Sequence, residues 1–118
     1  MAEIEYVEIP PVVSIGGVSI QVLQVERCED NNLGDCLAAK GEIQIAELWD
    51  GCKRQCMDSK RNTFYHEVTH CILDTMGEGE LSKNERFVST FSSFLNEAMR
   101  HARFQVVKSD DGRGSYGF

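Results

Sequence analysis

Lys60-Arg61-Asn62-Thr63-Phe64-Tyr65-His66-Glu67-Val68-Thr69-His70-Cys71-Ile72-Leu73-Asp74-Thr75-Met76 is the stretch on which the reading of the chain turns. Phe64, Val68, Cys71, Ile72 and Met76 recur at the i, i+4, i+7, i+8 spacing of a buried helical stripe. Gly77 and Gly79 follow as a stop signal. On this helix His66 and His70 are four residues apart, so both imidazoles leave one face a single turn apart. Two nitrogens so placed can bind one Zn²⁺ at ~2.0–2.1 Å each. Glu67 projects beside them, placed to act on water and not to hold the metal. The pattern is H-E-x-x-H, and two of the three histidines in the chain belong to it.

A catalytic zinc needs a third protein ligand and one open position. Glu85 is the first candidate, because the helix it opens must pack back across the first after a short connection. Asp74 continues the 66–70–74 ridge and is open to a role as ligand or as hydrogen-bond partner of His70. His101 would complete a three-histidine set from the far end of the second helix. Ser82-Lys83-Asn84-Glu85 is also a capping-box pattern, which would by itself account for a glutamate there. Phe87, Val88, Phe91, Phe94, Leu95, Ala98 and Ala102 give this second helix, reaching about Phe104, a broad apolar face. Those phenylalanines and Trp49 read as core.

The first half reads as strands. Ile4 to Ile9 alternates before Pro10-Pro11 interrupts it. Val12 to Ile15 and Val18 to Val25 flank Gly16-Gly17, a hairpin signal. A polar loop over Glu29 to Gly34 precedes a second hairpin, Asp35 to Ala39 and Glu42 to Glu47, around Lys40-Gly41. Glu42 to Glu47 is a candidate edge strand for an extended peptide, or else a central strand. Strands first and helices after argue for an α+β fold: a small antiparallel or mixed sheet from N-terminal hairpins, packed on the H-E-x-x-H helix and a following long helix. One domain over 1–108 with a flexible tail over 109–118 is expected, since 118 residues suit one domain.

Composition narrows the function. The formal net charge of −7 repels phosphate backbones, so nucleic acid is not an expected partner. The basic stretch Lys53-Arg54 and Lys60-Arg61 reads as a solvated helix entry. No apolar run reaches the ~20 residues that span a bilayer, and the N-terminus is acidic where a secretory signal is basic. A cytoplasmic protein is expected. Of five cysteines, Cys28, Cys36, Cys52 and Cys56 would make an irregular four-thiolate zinc site without the usual C-x2-C knuckles. Reduced, partly buried thiols are the better expectation, with Cys71 in the core.

Thr63 to Leu73, followed by Asn84-Glu85-Arg86-Phe87-Val88, resembles the small gluzincin-type metallopeptidases, in style closest to the ImmA/IrrE-like proteins of phages and mobile elements. The resemblance covers about residues 35–105. It departs in lacking an attached DNA-binding domain and in the short spacing from His70 to Glu85. It implies a zincin-like sheet and helix pair, one catalytic Zn²⁺ on His66, His70 and Glu85, and hydrolysis of a peptide bond in a cytoplasmic protein of phage or host. Glu67 would take the proton of a water acidified by zinc and pass it to the leaving amine. Tyr65, Arg100 and His101 are candidates for the second donor to the carbonyl oxygen. The competing expectation is a zinc-binding interaction protein that uses the same fold to hold a host or phage partner without turnover.

Overall fold

The computed structural model describes residues 9–50, 53–102, 105–108 and 114–117, with the side chains of His101 and of residues 105–108 and 114–117 outside that set. It is an α+β fold. Val12–Ile15 (β1) and Val18–Val25 (β2) pair antiparallel across Gly16-Gly17. Both glycines have positive φ, 61° and 81°, as a tight two-residue hairpin turn requires. Gly34–Leu37 (β3) pairs antiparallel with Glu42–Ala46 (β4) through a 3-10 turn over Ala38–Lys40. The second expected hairpin is therefore present, with a longer connection. β4 also runs parallel to β2, so the sheet is mixed, in the order β1-β2-β4-β3.

That order corrects one expectation. Glu42 to Glu47 is not an edge for peptide docking, because β4 is hydrogen-bonded on both sides. Among the described residues the edge strands are β1 and β3. Two short strands, Leu48–Trp49 (β5) and Lys53–Arg54 (β6), pair antiparallel before the helices begin.

Met57–Thr75 (α1) lies on the sheet, which presents Ile20 and Val22 from β2 and Ile43 and Ile45 from β4 to Phe64 and Cys71 of the helix. At 100° per residue, Val68 and Cys71 fall within about 40° of Phe64, while Ile72 and Met76 are turned about 80° and 120° away. Ile72 and Met76 are accordingly exposed, at 36% and 66%, and not part of the expected stripe. Leu73, nearly opposite Phe64, is buried on the other side of α1. The helix is covered from two directions.

Its start is held by polar side chains. Gln55, buried, donates to the Ala46 carbonyl at 2.6 Å and accepts from the hydroxyls of Ser59 and Thr63. Lys60 Nζ reaches Glu47 Oε2 at 2.6 Å and Gln24 Oε1 at 3.1 Å. Lys60 and Arg61 are thus buried, Arg61 pairing with Asp58, whereas only Lys53 and Arg54 of the basic stretch are solvated.

α1 ends where Gly77, at φ 80°, turns the chain: Gly77 N–H donates to the Asp74 carbonyl and Glu78 N–H to the Leu73 carbonyl. This is a Schellman stop, which favours glycine at the positive-φ position. Gly79–Ser82 (α2) follows at once, then Glu85–His101 (α3). The helix cap is Asn84, whose side chain accepts from Phe87 N–H at 3.1 Å. Ser82 is therefore not the cap of a capping box; it closes α2 and is buried. α3 ends at His101, short of Phe104, and packs against α1 through fully buried Val88 and Ser92. Phe91 and Phe94 lie to one side of that face and are 47% and 66% exposed, so they are not core. The rings of Phe87 and Phe91 stack at 5.7 Å.

Gln105–Lys108 (β7) pairs antiparallel with Gly114–Gly117 (β8), so part of the expected tail is a strand. Residues 4–8 of the first alternating segment and 109–113 of the tail lie outside the described residues. Among the described residues no helix is long and apolar enough to cross a membrane.

The thiols also differ from expectation. Cys36 and Cys71 form a disulfide that joins β3 to α1. Both stand on the facing surfaces of strand and helix, with Cα atoms 6.6 Å apart, within the span a disulfide bridges. A four-thiolate site using Cys36 is thereby excluded. Cys28 is a buried free thiol and Cys56 an exposed one, while Cys52 lies outside the described residues.

Candidate metal centre

The structure brings His66, His70 and Glu85 together. On α1 the two histidines lie on the side opposite the sheet, facing the start of α3. Because Asn84 caps α3, Glu85 occupies its first turn and its carboxylate is released towards the imidazoles. His66 Nε2 is 3.2 Å from Glu85 Oε2 and His70 Nε2 is 3.3 Å from Glu85 Oε1. The two Nε2 atoms are 3.3 Å apart.

These separations test the fit of a metal. Ligand atoms at ~2.0–2.1 Å around a tetrahedral ion stand about 3.3 Å from one another. The donor set agrees, since two imidazoles and one carboxylate suit Zn²⁺. Three electron-pair donors facing one point repel unless a cation or a proton stands between them. The cluster can hold a metal ion. Asp74 is exposed and outside this cluster, and the His101 side chain lies outside the described residues.

His66 has its pKa lowered, first by burial and then by His70, with Glu85 acting in the opposite direction. A neutral ring is the form that binds a metal. His70 carries a second contact that the sequence reading did not supply: its Nδ1 is 3.0 Å from Ser82 Oγ. Asp74, open in the sequence to a role as ligand or as partner of His70, takes neither place among the described residues. The signal that hid Ser82 was its own plausibility as a helix cap.

Glu67 is 8% exposed, and no described residue is hydrogen-bonded to its carboxyl. Burial, then the charges of Asp35 and Glu85, push its pKa up to about 7. The wall that buries it is β3. A β-carbon on Gly34 would stand 2.5 Å from Thr63 Cγ2 and 3.3 Å from Glu67 Cγ, so only glycine lets the strand approach this closely.

His66, Glu67, His70 and Glu85 line an open cleft of about 670 Å³, bordered also by β3, Trp49 and Asn62. That is ample for a peptide segment, despite the chain's small size. Trp49 is thus a cleft residue and not core. Of the expected oxyanion donors, Tyr65 packs on the core against Phe64 and Arg100 is drawn towards Asp58 at 3.9 Å. Neither lines the cleft. Asn62 does, one turn before His66 on the same ridge. No protein-family model, curated protein or solved structure matches the chain.

Proposed function

We propose that the protein is a zinc-dependent metallopeptidase acting on a protein or peptide substrate, with His66, His70 and Glu85 as metal ligands and Glu67 as general base. The observation that carries this reading is the pairing of two features in one cleft. Three donors stand at tetrahedral separations, and a buried carboxyl without a hydrogen-bond partner among the described residues stands beside them. The pairing suits the gluzincin-like chemistry that the H-E-x-x-H pattern implies.

Zinc bound there supplies a Lewis acid for the scissile carbonyl and acidifies water. Glu67, with a pKa raised to about 7, is matched to taking a proton from water and delivering it to the leaving amine at neutral pH. The Asn62 side-chain amide is the candidate second donor to the carbonyl oxygen. β3 replaces β4 as the docking strand: its outer edge is unpaired among the described residues and Leu33, Gly34 and Asp35 face the cleft, so an extended peptide adding to it would lie across Glu67.

Glu67→Gln tests the reading. Wild type and variant alike are expected to bind about one zinc per chain, and the variant to lose cleavage of peptides or of a protein substrate. Full biological activity in Glu67→Gln would remove catalysis and leave a zinc-bound interaction protein. Full zinc binding in His66→Ala with His70→Ala would remove the site.

A further inference from the structure

We propose that Ser82 is the positioning residue of the metal centre, its hydroxyl oxygen accepting the Nδ1 proton of His70 and so presenting Nε2 as the electron-pair donor; this rests on the metal-site reading above. A neutral imidazole carries one proton, and the hydrogen bond made by one nitrogen sets the state of the other. Nδ1 of His70 meets a hydroxyl at 3.0 Å, while Nε2 meets His66 Nε2 and Glu85 Oε1, both at 3.3 Å. With the proton on Nδ1, every contact at Nδ1 is a hydrogen bond and Nε2 keeps its lone pair for the cluster.

The hydroxyl is itself held in place. Gly77 turns the chain, the Glu78 carbonyl accepts the Ser82 N–H at 2.9 Å and fixes the backbone that carries the hydroxyl, and Ser82 is 7% exposed, so its oxygen is largely shielded from water. α2, only four residues long, thereby acquires a purpose: it carries the hydroxyl across to the back of His70. A carboxylate partner would orient the ring and also raise its basicity. A hydroxyl orients it without adding charge.

The test compares wild type, Ser82→Ala and Ser82→Thr by zinc affinity against a chromophoric chelator. It adds the ring-nitrogen NMR spectrum of His70 in metal-free protein at a pH where the ring is neutral. Ser82→Ala is expected to bind zinc about 10–100-fold more weakly, as partners of metal-bound histidines do when removed. Its His70 is expected to lose the single Nδ1–H signature. Ser82→Thr, which keeps the hydroxyl, is expected to retain both. Unchanged affinity and spectrum in Ser82→Ala would overturn the inference. Equal loss in both variants would overturn it too, by showing that packing and not the hydroxyl matters. Wild-type protein that binds no zinc yet holds His70 as Nδ1–H would refute the metal reading and support the ring placement. Wild-type His70 without Nδ1–H would refute the placement itself.

Discussion

Gly34 of β3 and Glu67 of α1 are packed so that a β-carbon on the glycine would lie 3.3 Å from Glu67 Cγ. The same atom would lie 2.5 Å from Thr63 Cγ2 and 3.0 Å from the Gln44 carbonyl oxygen. The strand backbone therefore packs directly on the Thr63 and Glu67 side chains of the helix, and the meeting point is the proposed base.

Gly34→Ala should force β3 away from α1 and cost about 1–3 kcal/mol, the usual range for overpacking. Because the displacement is at Glu67, peptide cleavage should fall further than zinc binding does. Denaturant unfolding and zinc titration of the same variant check both halves. An alanine accepted without loss of stability would show that the contact is slack.

The metal-free protein should be less stable at pH 8 than at pH 5 on account of Glu67. Its folded pKa of about 7 lies above the ordinary value of 4.5, so between them the folded state binds more protons than the unfolded one. Stability from this group is full below pH 4.5 and is lost as pH rises through 7. The loss, read against Glu67→Gln in the presence of chelator, should approach roughly 3 kcal/mol. Parallel stability curves for the two proteins would contradict the burial of this carboxyl.

Reduction of Cys36–Cys71 should destabilise the fold by ~4 kcal/mol, from the loop entropy of a cross-link spanning 35 residues. The same bond ties the cleft wall to the residue after His70. Cys36→Ser with Cys71→Ser should therefore raise hydrogen exchange in β3 more than in β1. Mass spectrometry of unreduced protein, showing the 36–71 linked peptide, is the first check.

Cys28 and Cys56 should separate in alkylation. Burial, then Asp35 and Glu67, push Cys28 up to about 11, so near pH 8 almost none of it is thiolate. Cys56 is exposed. Iodoacetamide at pH 8 should label Cys56 within minutes and Cys28 only after unfolding. Comparable rates would place Cys28 at the surface.

What could be read from the residues was what depends on near neighbours. The Gly16-Gly17 hairpin follows from turn chemistry, and the shared face of His66 and His70 follows from helical periodicity. Glu85 was legible because a short connection must return α3 across α1. What escaped depends on distant partners. The parallel pairing of β2 with β4 makes β4 central, and nothing in Glu42 to Ala46 alone announces it. Cys36 and Cys71 meet only because edge strand and helix face one another. Ile72, Phe91 and Phe94 are apolar yet exposed, since an apolar stripe wider than its contact surface leaves its margins in water. Ser82 was concealed by a local motif that fits it equally well.

The cleft is assembled from parts with very different reach along the chain. His66, His70, Ser82 and Glu85 belong to one helical hairpin, α1 to α3, in which the ligands are separated by short loops. The β3 wall that buries Glu67 comes from the other half of the chain, from an edge strand of the mixed sheet. Closing short loops costs less entropy than closing long ones, and local contacts form sooner during folding. The order of events follows: the hairpin can bring His66, His70 and Glu85 together early, and the β3 wall that buries Glu67 comes later. On the function proposed above, a partly folded chain would gain its metal ligands before its general base.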